Sequence, residues 1–299
     1  MLDALSFLEA QAISIIRDAY FQCKNPSILF SGGKDSICMV HLARKAFFPE
    51  AIPFELLHVD TGHNFPETLA FRDGLVAQLH LSLNVQSVVD TLAKNKIPDA
   101  TGKFPSRNAL QSVALLEAIA THGYDACLGG GRRDEEKARA KERLFSFRDL
   151  QGNWNPLGQR PEPWNLLNGH IFSGENIRIF PLSNWTELDV WEYIRRENIE
   201  LPSLYFSHSR LCLQLSDGAL MAFNPYIQLD SSDTLVEKKV RFRTIGDMTC
   251  TAAIESTATN VDQVIEELKT CMVSERGATR LDDRISDAGM EDRKIKGYF

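Results

Sequence analysis

Ser31-Gly32-Gly33-Lys34-Asp35-Ser36 is the stretch on which the fold turns. It follows Ser27-Ile28-Leu29-Phe30, a short apolar run that reads as a buried strand. It precedes residues 36–47, where Ile37, Val40, Leu42, Ala43 and Phe47 recur at helical spacing. Strand, glycine-rich loop and helix in that order make an anion site. The two glycines let the backbone turn tightly and approach a ligand. Backbone N–H groups and the helix N-terminus then face negative charge. Lys34 adds a point charge, and Ser31 and Ser36 add hydroxyls. The loop is neither G-x4-G-K-[ST], since Asp35 stands where Ser or Thr would be, nor G-x-G-x-x-G.

Outward from this loop the chain alternates. An amphipathic helix is expected over 3–22, with Leu5, Leu8, Ala12, Ile15, Ile16 and Ala19 on one face. Strands are expected at 54–59, 81–89, 124–128 and 177–180, and helices at 65–79 and 109–120. A further helix opens at Thr186 with Asp189 three residues on, a capping-box start, and runs to about 197. Strands alternating with helices predict an α/β fold, a parallel sheet flanked by helices on both faces. Ligands bind such sheets beyond the carboxyl ends of the strands. Three strand ends carry polar or glycine-rich loops, at 31–36, 58–63 and 129–134. Residues 150–176 read as a long flexible loop. The expected division is a nucleotide-binding domain over 1–230 and a C-terminal extension with a charged tail over 231–299.

Composition narrows the class. The 299 residues carry 33 Lys and Arg against 40 Asp and Glu, a net charge of −7, which disfavours a basic nucleic-acid coat. No apolar run reaches the roughly 20 residues of a membrane helix, and no secretory leader is visible. The six cysteines are scattered without a C-x-x-C pair, as expected of reduced thiols packed as small hydrophobes. The expected location is therefore cytoplasmic, with neither nucleic acid nor membrane as partner.

Further motifs accompany the loop. His58-Val59-Asp60-Thr61-Gly62 ends the second strand, and Gly130-Gly131-Arg132-Arg133 ends the fourth. Residues 132–148 hold seven basic side chains, among them Arg132, Arg133, Lys137, Arg139 and Lys141, interleaved with Asp134, Glu135, Glu136 and Glu142. Spacing alone allows a salt-bridged helix face. Arginine forks at a strand end also suit sulfate or phosphate oxygens. Asp60 and Asp35 could hold Mg²⁺ or simply cap their loops. His58 and His63 could contact a nucleotide or serve as structural histidines. Trp185 and Trp191 read as core. Arg241-Phe242-Arg243 reads equally as an anion contact or a surface strand.

SGGKDS resembles the pyrophosphate-binding loop of the ATP pyrophosphatase (PP-loop) superfamily. With 58–62, 130–137, 140–143, 145–149, Pro181-Leu182-Ser183-Asn184-Trp185-Thr186-Glu187 and the terminal Gly297-Tyr298-Phe299, nearly the whole chain resembles the small, catalytic subunit of the bacterial two-subunit sulfate adenylyltransferase. The resemblance implies the PP-loop (adenine nucleotide alpha-hydrolase-like) fold and formation of adenosine 5′-phosphosulfate and pyrophosphate from ATP and sulfate. It implies ATP and Mg²⁺ as cofactors and a larger GTPase subunit, carrying GTP, as partner in a hetero-oligomer. Catalytic roles are then expected for Lys34, Asp35, Arg132 and Arg133. ATP and pyrophosphate contacts are expected at Ser31, Gly32, Gly33, Lys34, Asp35, Ser36, His58, Asp60, Thr61 and Gly130. Sulfate contacts are expected at Arg132, Arg133, Lys137, Lys141 and Arg243, and Mg²⁺ at Asp35 and Asp60. The competing readings are adenylation of a flavin or a tRNA base, reduction of phosphoadenosine phosphosulfate, and a nucleotide-binding scaffold without turnover.

Overall fold

The protein is represented by a computed structural model that describes residues 3–135, 137–149, 151–270 and 275. Six strands form one sheet in the order β3-β2-β1-β4-β6-β5. They are β1 Pro26–Leu29, β2 Glu55–Asp60, β3 Leu83–Ser87, β4 Ala126–Leu128, β5 Phe145–Arg148 and β6 Asn176–Ile179. The first four and β6 run parallel, with Ile28 opposite both Leu56 and Leu128. The expected parallel sheet forms and gains one antiparallel strand at its edge. β5 is an antiparallel edge strand on β6, with Phe145 opposite Ile179 and Arg148 opposite Asn176.

Helices cover both faces. α1 (Ala4–Gln22) and α2 (Lys34–Phe47) pack their apolar stripes, Ala12, Ile15, Ile16, Ala19, Ile37, Val40 and Ala43, into the main core. α3 (Pro66–Leu79) and α6 (Glu187–Glu197) join the same core through Leu75, Val190, Trp191 and Ile194. On the other face α5 (Gln111–His122) lays Leu115 and Ala118 on Leu29, Leu57 and Cys127. The capping box of α6 forms as expected: Asp189 N–H donates to Thr186 Oγ1 at 3.1 Å, and Thr186 N–H donates to Asp189 Oδ2 at 2.8 Å. Trp185 and Trp191 are buried, 1% and 0% exposed.

Two elements differ from the sequence expectation. The third strand ends at Ser87, not at 89, because Ser87 Oγ accepts the Asp90 N–H and starts α4 (Val88–Asn95). The two valines that prolong the strand-like alternation lie in that helix instead. Beyond α6, β7 (His208–Gln214), β8 (Leu220–Ala222), β9 (Thr234–Arg241) and β10 (Ala252–Glu255) close into a small antiparallel barrel, followed by α7 (Val261–Thr270). Position 230, where the two domains were expected to divide, falls between β8 and β9 of this barrel. The barrel is tied to the sheet: Met248 N–H donates to His63 O at 2.9 Å and Phe242 N–H to Leu204 O at 2.8 Å.

The order of strands reverses between β1 and β4, so the loops after them lie side by side. That is the switch point where a crevice opens in such sheets.

Candidate active site

Gly32 leads the chain out of β1 with φ +76, and a Cβ there would come within 2.7 Å of Thr68 Cγ2. Gly33 is the N-cap of α2, where no side chain caps the helix. The loop is braced from within. Ser36 Oγ donates to Gly33 O at 2.8 Å, Gly33 N–H donates to Ser31 Oγ at 3.3 Å, and the Ser31 and Ser36 hydroxyls stand 3.3 Å apart. Tyr205 Oη accepts the Lys34 N–H at 2.7 Å. Gly130 lets the neighbouring loop close in: a Cβ there would lie 2.9 Å from Asp35 Cβ and 3.1 Å from its backbone carbon.

These contacts bring together Lys34, Asp35 and Arg132. Lys34 Nζ donates to Asp35 Oδ2 at 3.1 Å, and Arg132 Nε donates to Asp35 Oδ1 at 2.7 Å. Lys34 and Arg132 both also pair with Glu275. Burial alone would drive the proton from Lys34, but Asp35 and Glu275 outweigh it and hold the ammonium above its ordinary pKa. Burial likewise opposes charge on Arg132, and Asp35 and Glu275 again prevail. Burial works against the Glu275 carboxylate too, yet Lys34 and Arg132 hold it below the ordinary carboxylate range.

A cavity of about 160 Å³ borders this cluster. Part of its lining is apolar, with Leu29, Leu57 and Val59. Another part is polar, with Ser31, Lys34, Asp35, Ser36, Thr61, Glu135 and Arg139. His58 lines it while its Nδ1 lies 2.8 Å from Phe30 O, pinning β2 to the end of β1, and burial lowers its pKa. Thr61 Oγ1 donates to Asn64 Oδ1 at 2.9 Å. Asp60 is not among the lining residues and accepts the Gly62 N–H at 2.7 Å.

The other expected anion contacts among the described residues do not line this cavity. Arg133 turns to the 183–184 corner, donating to Asn184 Oδ1 and, at 3.1 Å, to Glu142 O. Arg243 is buried in a two-pronged pair with Glu187, at 3.1 and 2.6 Å. Lys141 is exposed in a 3-10 turn. The Lys137 side chain and the tail residues Arg276, Arg280, Arg284 and 297–299 lie outside the described residues.

Several site residues were invisible to sequence reasoning. Tyr205, Gln111 and Thr244-Ile245-Gly246-Asp247 reach the cavity from distant parts of the chain. The Asn64–Asp247 bridge brings the barrel loop there. Glu275 has no local signal, being one acid in a charge-rich tail. The basic run at 132–148 did point to Arg139, which shares an ion pair of 3.2 Å with Glu135. Among the described residues, no group of three His, Cys, Asp or Glu side chains could by itself hold a metal ion. No helix among the described residues is long and apolar enough to cross a membrane.

Residues 25–253 match the family described as phosphoadenosine phosphosulfate reductase domain. Sulfate adenylyltransferase subunit 2 of Mycobacterium sp. (strain JLS) is 55% identical over 298 residues, covering 100% of this chain and 95% of that protein. The protein of that name from Mycobacterium tuberculosis (strain ATCC 25177 / H37Ra) is 54% identical with the same coverage. Among solved structures, Candida glabrata FMN adenylyltransferase in complex with ATP is similar with a TM-score of 0.49. It is 15% identical, over 92% of this chain and 87% of that one. The phosphoadenylyl-sulfate reductase of Candida auris has a TM-score of 0.44 at 18% identity, over 68% of this chain and 91% of that one.

Proposed function

This chain belongs to the sulfate adenylyltransferase subunit 2 family and to the phosphoadenosine phosphosulfate reductase domain family, and from that premise we propose how its cleft works. It is a nucleotidyltransferase subunit that forms adenosine 5′-phosphosulfate and pyrophosphate from ATP and sulfate, within a heteromeric enzyme. Identity above 50% along the whole chain carries this reading.

The adenosine enters the apolar part of the cavity, at Leu29, Leu57 and Val59. The triphosphate runs along residues 31–36, where backbone N–H groups at the start of α2 and Lys34 receive the leaving pyrophosphate. The α-phosphate faces the Gly130–Arg132 loop. Sulfate approaches from the side of Arg132 and Arg139. It is already an anionic nucleophile, so no base removes a proton. Catalysis consists of holding two anions in line and stabilising the charge that grows between them. Mg²⁺, when bound, would neutralise part of the triphosphate charge. Asp60 suits that role better than Asp35, whose two oxygens already receive Arg132 and Lys34. A GTPase as the other subunit would hold the GTP, since loop 31–36 lacks the G-x4-G-K-[ST] pattern.

Four of the six cysteines are poorly set for thiolate chemistry. Burial pushes Cys38, Cys127 and Cys212 away from the thiolate, and Cys23 up to about 12. The deciding experiment measures pyrophosphate release from Mg·ATP with and without sulfate, on the chain alone and with the GTPase subunit and GTP, and identifies the adenylated product. Adenosine 5′-phosphosulfate that depends on sulfate is the expected result. Release indifferent to sulfate in both arrangements would overturn the assignment.

A further inference from the structure

The best-satisfied group in the cleft belongs to the protein's own C-terminal part. Glu275 is 4% exposed and pairs with both Lys34 and Arg132, and Thr244 Oγ1 donates to it at 3.0 Å. Two cations and a hydroxyl converging on a pair of anionic oxygens make the donor set that a phosphoryl or sulfuryl group needs. With the carboxylate in place, Lys34 and Arg132 are each 1% exposed, and Glu275 takes the donors that an incoming anion would need. The balance of charge agrees. Lys34 and Arg132 supply two positive charges, and Asp35 and Glu275 cancel both. In this arrangement the cluster offers a polyanion little attraction. The adjoining cavity of about 160 Å³ is also smaller than the roughly 300–1,000 Å³ of ligand sites.

We propose that Glu275 is an internal competitor for the anion site. It occupies Lys34 and Arg132 while the cleft is empty, and the pyrophosphate end of the nucleotide displaces it. Two buried cations left to share the single carboxylate of Asp35 would be costly. Glu275 therefore keeps them charged and positioned until a stronger anion arrives. The inference rests on the reading of loop 31–36 as the pyrophosphate site.

The test is calorimetric binding of inorganic pyrophosphate to the full chain, as wild type, Glu275→Gln and Glu275→Ala, with adenosine as the uncharged control. Glu275→Gln keeps the size and one acceptor oxygen and removes the charge. Both variants should bind pyrophosphate at least tenfold more tightly, with adenosine affinity unchanged. Pyrophosphate binding no tighter in either variant than in the wild type would overturn the proposal and leave the pyrophosphate reading intact. Absence of pyrophosphate binding in all three proteins would remove the anion site itself, and the proposal with it. Loss of adenosine binding in both variants would make Glu275 a structural brace, which also overturns it.

Discussion

Lys34 concentrates the chemistry in one side chain. It is almost wholly buried and is held charged by Asp35 and Glu275. A lysine is placed there at a cost that only ion pairs offset. Lys34→Met should lower sulfate-dependent turnover by about 100-fold, the scale of losing one preorganised group facing developing charge. It should also lower stability by about 3 kcal/mol, the lower end for a broken buried pair, because Arg132 still partners both carboxylates. Turnover in steady-state assays and urea midpoints check the two effects. Undiminished turnover would remove Lys34 from the reaction. At this scale the sequence was legible where a residue type demands its setting. Gly32, Gly33, Lys34 and Gly130 sit where the loop chemistry asked. Arg243 was not legible, because a run of basic residues looks the same whether it faces an anion or, as here, a buried Glu187.

At the scale of elements, the site depends on two loops touching. Gly130→Ala places a methyl 2.9 Å from Asp35 Cβ and 3.1 Å from its backbone carbon, and neither end can swing aside. The variant should lose about 1–3 kcal/mol of stability, typical of overpacking, and bind pyrophosphate more weakly. Gly74→Ala, inside α3 with nothing within 4 Å of the new methyl, should gain about 0.5–1 kcal/mol. Thermal or urea unfolding of the pair separates crowding from glycine's flexibility. Equal effects would deny the loop contact. The parallel strands and α6 were readable because their apolar runs and caps are local. The edge strand β5 was not. Its outer edge is covered by side chains of the long loop, where Gln159 Oε1 accepts the Phe147 N–H at 2.8 Å and Glu162 the Phe145 N–H at 2.8 Å. An edge shielded this way needs no strand-like neighbour in sequence.

For the whole molecule, burial sets the acid response. His41, His58 and His63 all have pKa values lowered from the ordinary 6.5, each first by burial. Below 6.5 the unfolded chain binds protons that the native chain refuses. Stability therefore rises with pH through that window and levels off above it. Glu187, raised by burial, works in the opposite direction from 4.5 upward, so the informative quantity is a difference between variants. His58→Asn should flatten the acid limb of a urea-midpoint profile taken from about pH 5 to about pH 7. An unchanged slope would mean that His58 titrates in the native state as it does in the unfolded one.

By itself the sequence determined the doubly covered α/β sheet, the glycine-rich loop at the end of its first strand, and a family resemblance along the chain. Each follows from local chemistry: glycines where the backbone must turn, apolar residues at helix and strand periods, caps at helix starts. The tertiary structure alone decided which charges share the cleft. Glu275 lies 241 residues from Lys34 and 143 from Arg132, and Tyr205 lies 171 residues from the Lys34 N–H it caps. The antiparallel barrel carries Thr244 and Asp247 to the same place. Pairings over such separations come from closing long loops around a common core. No spacing along the chain records them, because buried charges are matched by where the folded elements bring them.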